Sequence, residues 1–298
     1  IDIDYAQLWV GGKAIDEVCP PELTVRWTAA QGLLKSHFKS FRTSGMNLDD
    51  VCFYELVPEK HLQHYFDTKN EITSWVFENI EKPKNYSFIK ETFGNLRKLS
   101  QHQVNVNMFA LYVASAEDNK AKHLYQQFEG KPIHIDYDIF GTVTGRLTTK
   151  KGSFPILNLK KELKSHVLPQ NDVFLELDFN AAEVRTLLAL QNIEQPEEDI
   201  HEWNIKNVFK QEMSREKAKQ KLFAWLYNPE STTIDSEIYD RQSILERYYV
   251  EEQVQTPFGR TIAAPSSKAL NYLLQSTSSD NTIDRFNKIS RFLSNSRS

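Results

Sequence analysis

The chain has 298 residues, 40% of them apolar, with 36 basic against 40 acidic side chains and a net charge of −4 at pH 7. That composition excludes a disordered chain, the length points to two or three subdomains, and no apolar run approaches the ~20 residues that span a bilayer. Cys19 and Cys52 match no metal-ligand spacing and are expected to be buried free thiols in a reducing compartment.

The amino terminus, IDIDYAQLWV, has neither the apolar core of a signal peptide nor the basic face of a transit peptide. It lacks an initiator Met, which fits a fragment or lost flexible ends. Residues 1 to 60 read as short strands and turns, with Asp2 and Asp4 as surface charge. Between Glu71 and Ile80, the residues Ile72, Trp75, Val76 and Ile80 form a helical stripe that Pro83 ends. Phe88, Phe93, Leu96 and Leu99 open a longer helical region to about Tyr112, with Lys90, Arg97 and Lys98 outside. Such a pair could embrace a duplex or be a plain hairpin.

Four later segments carry chemistry. HIDYDIFGTVTGRLTTKKG, from His134, alternates apolar and polar residues to Phe140 and then turns at Gly141 and Gly145. Arg146 sits on that turn, followed by two hydroxyls and two lysines. Small residues let a backbone approach a sugar-phosphate chain that the cations neutralise; a basic surface hairpin would look the same. Next, Val173 to Leu177 reads as a buried strand and Ala181 to Leu190 as a helix, with Asp178 between them. A carboxylate at a strand's carboxyl end can hold a metal ion, or it can cap the helix. From Ser214, a good N-cap, to Asn228-Pro229 runs a third segment, a helix in which Arg215, Lys219, Phe223 and Tyr227 recur every fourth residue along one face. Ala218, Leu222 and Leu226 face the core. Two cations followed by two rings suit a nucleoside triphosphate, with phosphates on the cations and sugar and base on the rings. Last, Gly259-Arg260 turns out of a strand, and Ala269 to Phe286 reads as a helix with Asn271 and Gln275 one turn apart, able to touch minor-groove edges.

Charge is segregated along this half. Arg146 to Lys164 holds six basic residues and one acidic, and Ser214 to Lys221 carries +3. Gln191 to Glu202 holds five acids and no Lys or Arg. A basic groove for phosphates beside acidic surface would give this pattern, as would solvated helix faces.

Taken in order, these segments resemble the family A DNA polymerases, the group of bacterial polymerase I and many phage replicative enzymes. TGRLTT is similar to the family's primer-template element and DFNAAEVR to its motif A. DIHEWNIKNVF is similar to the segment leading to the fingers, SREKAKQKLFAWLYN to motif B, and ALNYLLQSTSSD to the helix that follows the minor groove. The resemblance covers residues 134 to 290, about half the chain.

The resemblance implies an α+β right-hand polymerase with helical thumb and fingers and an antiparallel palm sheet. A mixed segment would span 1–65, a thumb-like region 66–132, a palm with motif A 133–200, fingers with motif B 201–250 and further palm 251–298. Asp178 would be a catalytic, metal-binding carboxylate, with the Phe179 carbonyl on the same Mg²⁺. Glu183 would exclude a ribose 2′-hydroxyl. Arg215 and Lys219 would hold the triphosphate of a dNTP, Phe223 would lie by its sugar and Tyr227 by the templating position. Arg146, Thr148, Asn271 and Gln275 would contact primer-template DNA. A cytoplasmic monomer (host-cell cytoplasm if phage-encoded) without a membrane partner is expected, with any processivity factor unknown.

The chain departs from the family at Ala181, Ala182, Ala224 and Asn228, and the spacing between motifs A and B is short. The His-Asp-acid signature of motif C does not occur, and the chain is expected to stop before it. The alternative is a polymerase-like protein that binds nucleic acid without catalysis.

Overall fold

The structure, a computed structural model, describes residues 3–46, 51–234 and 238–295. About 58% of it is helical, with small antiparallel sheets. The chain divides into two compact units, residues 1–90 and 91–298, a division that falls inside the expected 66–132 region.

The first unit is helical where short strands and turns were expected. Its helices are α1 (Ile3–Trp9), α2 (Ile15–Val18), α3 (Pro21–Thr43), α4 (Phe53–Leu56) and α5 (Glu59–Asn79). Proline at the first helical position and Glu22 in the first turn start α3, where a missing N–H and a negative charge both suit a helix N-terminus. Packing against α5 then holds it through Gly32: Trp27 and Ala30 of α3 are buried, as are Leu62, Ile72 and Val76 of α5. The stripe at Ile72 and Val76 is therefore helical as expected, in a helix that reaches back to Glu59. Trp9 donates its indole N–H to the Ile80 carbonyl (2.8 Å), tying α1 to the end of α5. Cys19 is half-buried and Cys52 exposed, so neither is the buried thiol expected. Asp2 lies outside the described residues.

Helix α6 (Tyr86–Ser100) carries the chain across the division. The helical region expected to about Tyr112 is two helices: α6 ends at Ser100, β1 (Asn105–Val106) follows, and α7 (Met108–Ala114) completes it. The Asn107 side chain accepts from the Ala110 N–H (3.0 Å) and caps the new helix, a local bond that asparagine offers more readily than a helix interior can use it. Asp118 caps α8 (Asn119–Phe128) in the same way. Leu111, Ala121, Leu124 and Phe128 from these helices pack with Ile133, Phe154 and Leu163 in one core.

The hairpin expected after His134 is present as β2 (Tyr137–Asp138) paired with β3 (Thr148–Thr149). After α9 (Lys161–Lys164), β4 (Val167–Leu168) pairs antiparallel with β1. The strand expected over Val173–Leu177 does not form. That run is irregular and exposed, with Leu175 at 83%. An apolar run becomes a strand only when a neighbour takes its backbone N–H and C=O groups, and among the described residues β1 is occupied by β4 instead.

The second core gathers α10 (Ala182–Leu190), α11 (Ile200–Asn204) with a π-helical turn over Ile205–Phe209, α12 (Arg215–Tyr227) and α13 (Arg241–Tyr248). A three-stranded antiparallel sheet of β5 (Tyr249–Val250), β6 (Gln253–Gln255) and β7 (Thr261–Ala263) joins it. Helix α14 (Ser266–Asn295) crosses this core with Ala269, Leu270, Leu273 and Leu274 buried. It begins behind Pro265 and exceeds the expected span at both ends. Its far half reaches α6, where Asn287 donates to the Thr92 hydroxyl (2.9 Å) and Arg291 pairs with Glu91 (2.9 Å).

Candidate nucleotide-binding site

Ser214 caps α12 by accepting from the Lys217 N–H, and Ala218, Leu222 and Leu226 are buried as their spacing predicts. Burying that face turns the ordered strip outward: Arg215 and Lys219 are exposed, Phe223 is half-buried and Tyr227 is 45% exposed. The Phe223 and Tyr227 rings stack in parallel, centroids 5.8 Å apart.

The strip meets α10 at its aromatic end. Ala181 adopts a left-handed conformation (φ 50°) and opens α10 with no side-chain cap, so Asp178 is not the helix cap. This turn puts Glu183 in the first helical turn, only 14% exposed at its side chain. One Glu183 oxygen accepts from Arg146 Nη2 (2.6 Å) and the other from the Tyr227 hydroxyl. Burial first, then the Glu183 carboxylate, push the Tyr227 phenol well above its ordinary range. Three residues read from three separate segments thus join at one carboxylate.

Arg146 is aimed there by its turn. Gly145 has φ 74°, a conformation that only glycine takes without strain. Its face lies against the Arg260 guanidinium so closely that no Cβ would fit. Arg260 in turn donates from Nε to both oxygens of Asp280 (3.1 and 2.9 Å) and from Nη2 to one of them (2.9 Å). Asp280 is wholly buried, and burial raises its carboxyl pKa against the lowering effect of Arg260. Ser279 donates to the Gly145 carbonyl (3.1 Å) and fixes the turn from α14.

At the cationic end, Arg215 donates from Nη2 and Nε to Asp199 (2.8 and 3.2 Å). Asp199 also caps α11, accepting from the His201 and Glu202 N–H groups. The Arg215 bond, then these amides, hold its carboxyl at about 2. His201 is buried beside Phe223 (centroids 6.4 Å apart), and its Nδ1 has no hydrogen-bond partner among the described residues. Burial, helped by the nearby Arg215 and Lys219 charges, lowers its pKa.

Among the described residues, no hydrogen bond joins the remaining expected residues to Glu183. Gln275 donates to Asn271 along α14 (2.5 Å), both half-buried. Thr148 packs its hydroxyl against Gly141 inside its own hairpin. Asp178 and Phe179 are exposed on the irregular segment before α10, and the described residues include no group of three or more His, Cys, Asp or Glu able to hold a metal.

Neither protein families, curated proteins nor solved structures give a match to this chain. What the site can do follows from its side chains. Lys219 and the outer edge of Arg215 offer positive charge, and the stacked rings offer a flat apolar face. Glu183 stands beside them, already held by two donors. Asp199, His201, Arg260 and Asp280 fall within segments read in the sequence but were given no site role there, because no periodic spacing connects them to the residues they meet.

Proposed function

We propose that this chain is the polymerase portion of a family A-type DNA polymerase, adding dNTPs to a primer 3′ end on a template, with Mg²⁺ as cofactor. The observation that carries the reading is the convergence of Arg146, Glu183 and Tyr227, beside a helix face ordered from cations to rings. An incoming dNTP would lay its triphosphate on Lys219 and Arg215 and its sugar against Phe223. Glu183 would meet the sugar's 2′ position, where a hydroxyl would find a carboxylate already satisfied by Arg146 and Tyr227. Arg146, Thr148, Asn271 and Gln275 would contact the primer-template.

The described residues do not build a two-ion centre: Asp178 is one carboxylate, exposed on irregular backbone. Two-metal phosphoryl transfer is the chemistry such enzymes use, and the part that falls to the side chains around Glu183 is to bind, orient and select the nucleotide. The exposure of Asp178 favours a second reading, a polymerase-like protein that binds nucleic acid without catalysis.

Primer extension with Mg²⁺ and dNTPs tests the first reading. Extension by the protein and its loss in Asp178→Ala support it. Equal extension by Asp178→Ala contradicts it, and binding of primer-template without extension favours the second reading.

A further inference from the structure

Arg215 is held unevenly. Its Nε and Nη2 are fixed on Asp199, whose carboxylate is itself pinned by two α11 amides. Among the described residues, its Nη1 meets only Glu216 (3.3 Å), a carboxylate 72% exposed at its side chain. A guanidinium gripped along one edge keeps its plane and loses little freedom when the other edge binds an anion. The exposed Glu216 side chain is free to swing aside, whereas Asp199 is not.

We infer that Asp199 is a positioning residue: it orients Arg215 so that the Nη1 edge receives the terminal phosphates of a nucleoside triphosphate. This rests on the function proposed above and adds to it the residue that sets phosphate affinity. Asp199 touches no phosphate and acts only through Arg215. Its effect therefore falls on the polyphosphate part of a ligand and disappears when Arg215 is removed.

The test is a double-mutant cycle on the whole chain, with inorganic tripolyphosphate, deoxyadenosine and dATP titrated separately by calorimetry. Asp199→Asn suits it because asparagine still caps α11, and thermal unfolding checks that each variant is folded. Asp199→Asn is expected to weaken tripolyphosphate binding about tenfold, the scale of one charge-assisted contact, and to leave deoxyadenosine binding unchanged. In an Arg215→Ala background it should weaken tripolyphosphate binding no further. Unchanged or tighter tripolyphosphate binding by Asp199→Asn, where Arg215→Ala still weakens it, overturns the positioning role alone. Folded wild-type protein that binds neither tripolyphosphate nor dATP overturns the nucleotide site itself, and the inference with it.

Discussion

Tyr227, in the last turn of α12, donates its phenolic hydrogen to the carboxylate of Glu183 in the first turn of α10. The bond links the two elements that the proposed activity requires to face each other. Tyr227→Phe keeps the stack on Phe223 and removes only the hydroxyl. Because the ring is partly exposed, we expect a loss of about 1 kcal/mol at pH 7, below the usual value for a bond to a charged group. Since the folded phenol lies above its ordinary value of 10, its contribution is whole below that pH and is lost as pH rises past it. Urea unfolding of both proteins at pH 7 and pH 11 should therefore show the gap closing at the higher pH; a gap that widens would contradict the bond.

The Arg260–Asp280 pair predicts an asymmetric response. Arg260→Ala strands a buried carboxylate and should destabilise the protein by about 3–5 kcal/mol. Asp280→Asn leaves a neutral acceptor in the same place, with Arg260 at the edge of solvent (13% exposed), and should be milder. Chemical denaturation of the two variants measures the order, and equal losses would mean that the pair does not share one buried site.

Gly145 and Gly130 separate backbone strain from close packing. Both have positive φ, 74° and 69°, but a Cβ at Gly130 meets nothing within 4 Å. Gly130→Ala should carry only the left-handed penalty of about 1–2 kcal/mol. Gly145→Ala must also displace a guanidinium locked on Asp280, and is expected to be worse by at least about 1 kcal/mol. Equal melting shifts for the two variants would contradict the close approach.

Arg241 ends α12. It donates to the carbonyls of Trp225, Asn228 and Pro229, and its guanidinium lies 4.5 Å above the Trp225 ring. A cation at a helix C-terminus satisfies carbonyls that have no partner inside the helix. Arg241→Ala should destabilise the protein by about 2–3 kcal/mol and disorder the turn that carries Tyr227, with faster amide exchange at residues 224–228. Exchange unchanged there would place the stop of α12 elsewhere.

Periodicity made α12 legible: Ser214, the buried Ala218, Leu222 and Leu226, and the outward strip all follow from a repeat of 3.6 and a capping residue. The Gly145 turn was legible because a glycine between threonine and arginine marks a turn whose positive φ glycine adopts without strain. Val173–Leu177 misled because apolar content reports burial only where a neighbour exists, and pairing is not written in the run itself. Residues 1–60 misled for the opposite reason, since α3 owes its length to packing on α5 rather than to a strong apolar stripe. Asp199 with Arg215, and Arg260 with Asp280, are tertiary pairs, and a single sequence carries no signal that joins them.

Nucleotide selection on a primer-template with a blocked 3′ end tests the account most directly. Equilibrium binding of a dNTP and of the matching rNTP, by wild-type protein and by Glu183→Ala, reads the site without requiring turnover. The account predicts that wild type binds the dNTP at least about tenfold more tightly, the scale of one misplaced polar group, and that Glu183→Ala erases the difference. Equal binding of the two sugars by wild type, or no nucleotide binding at all, would contradict it.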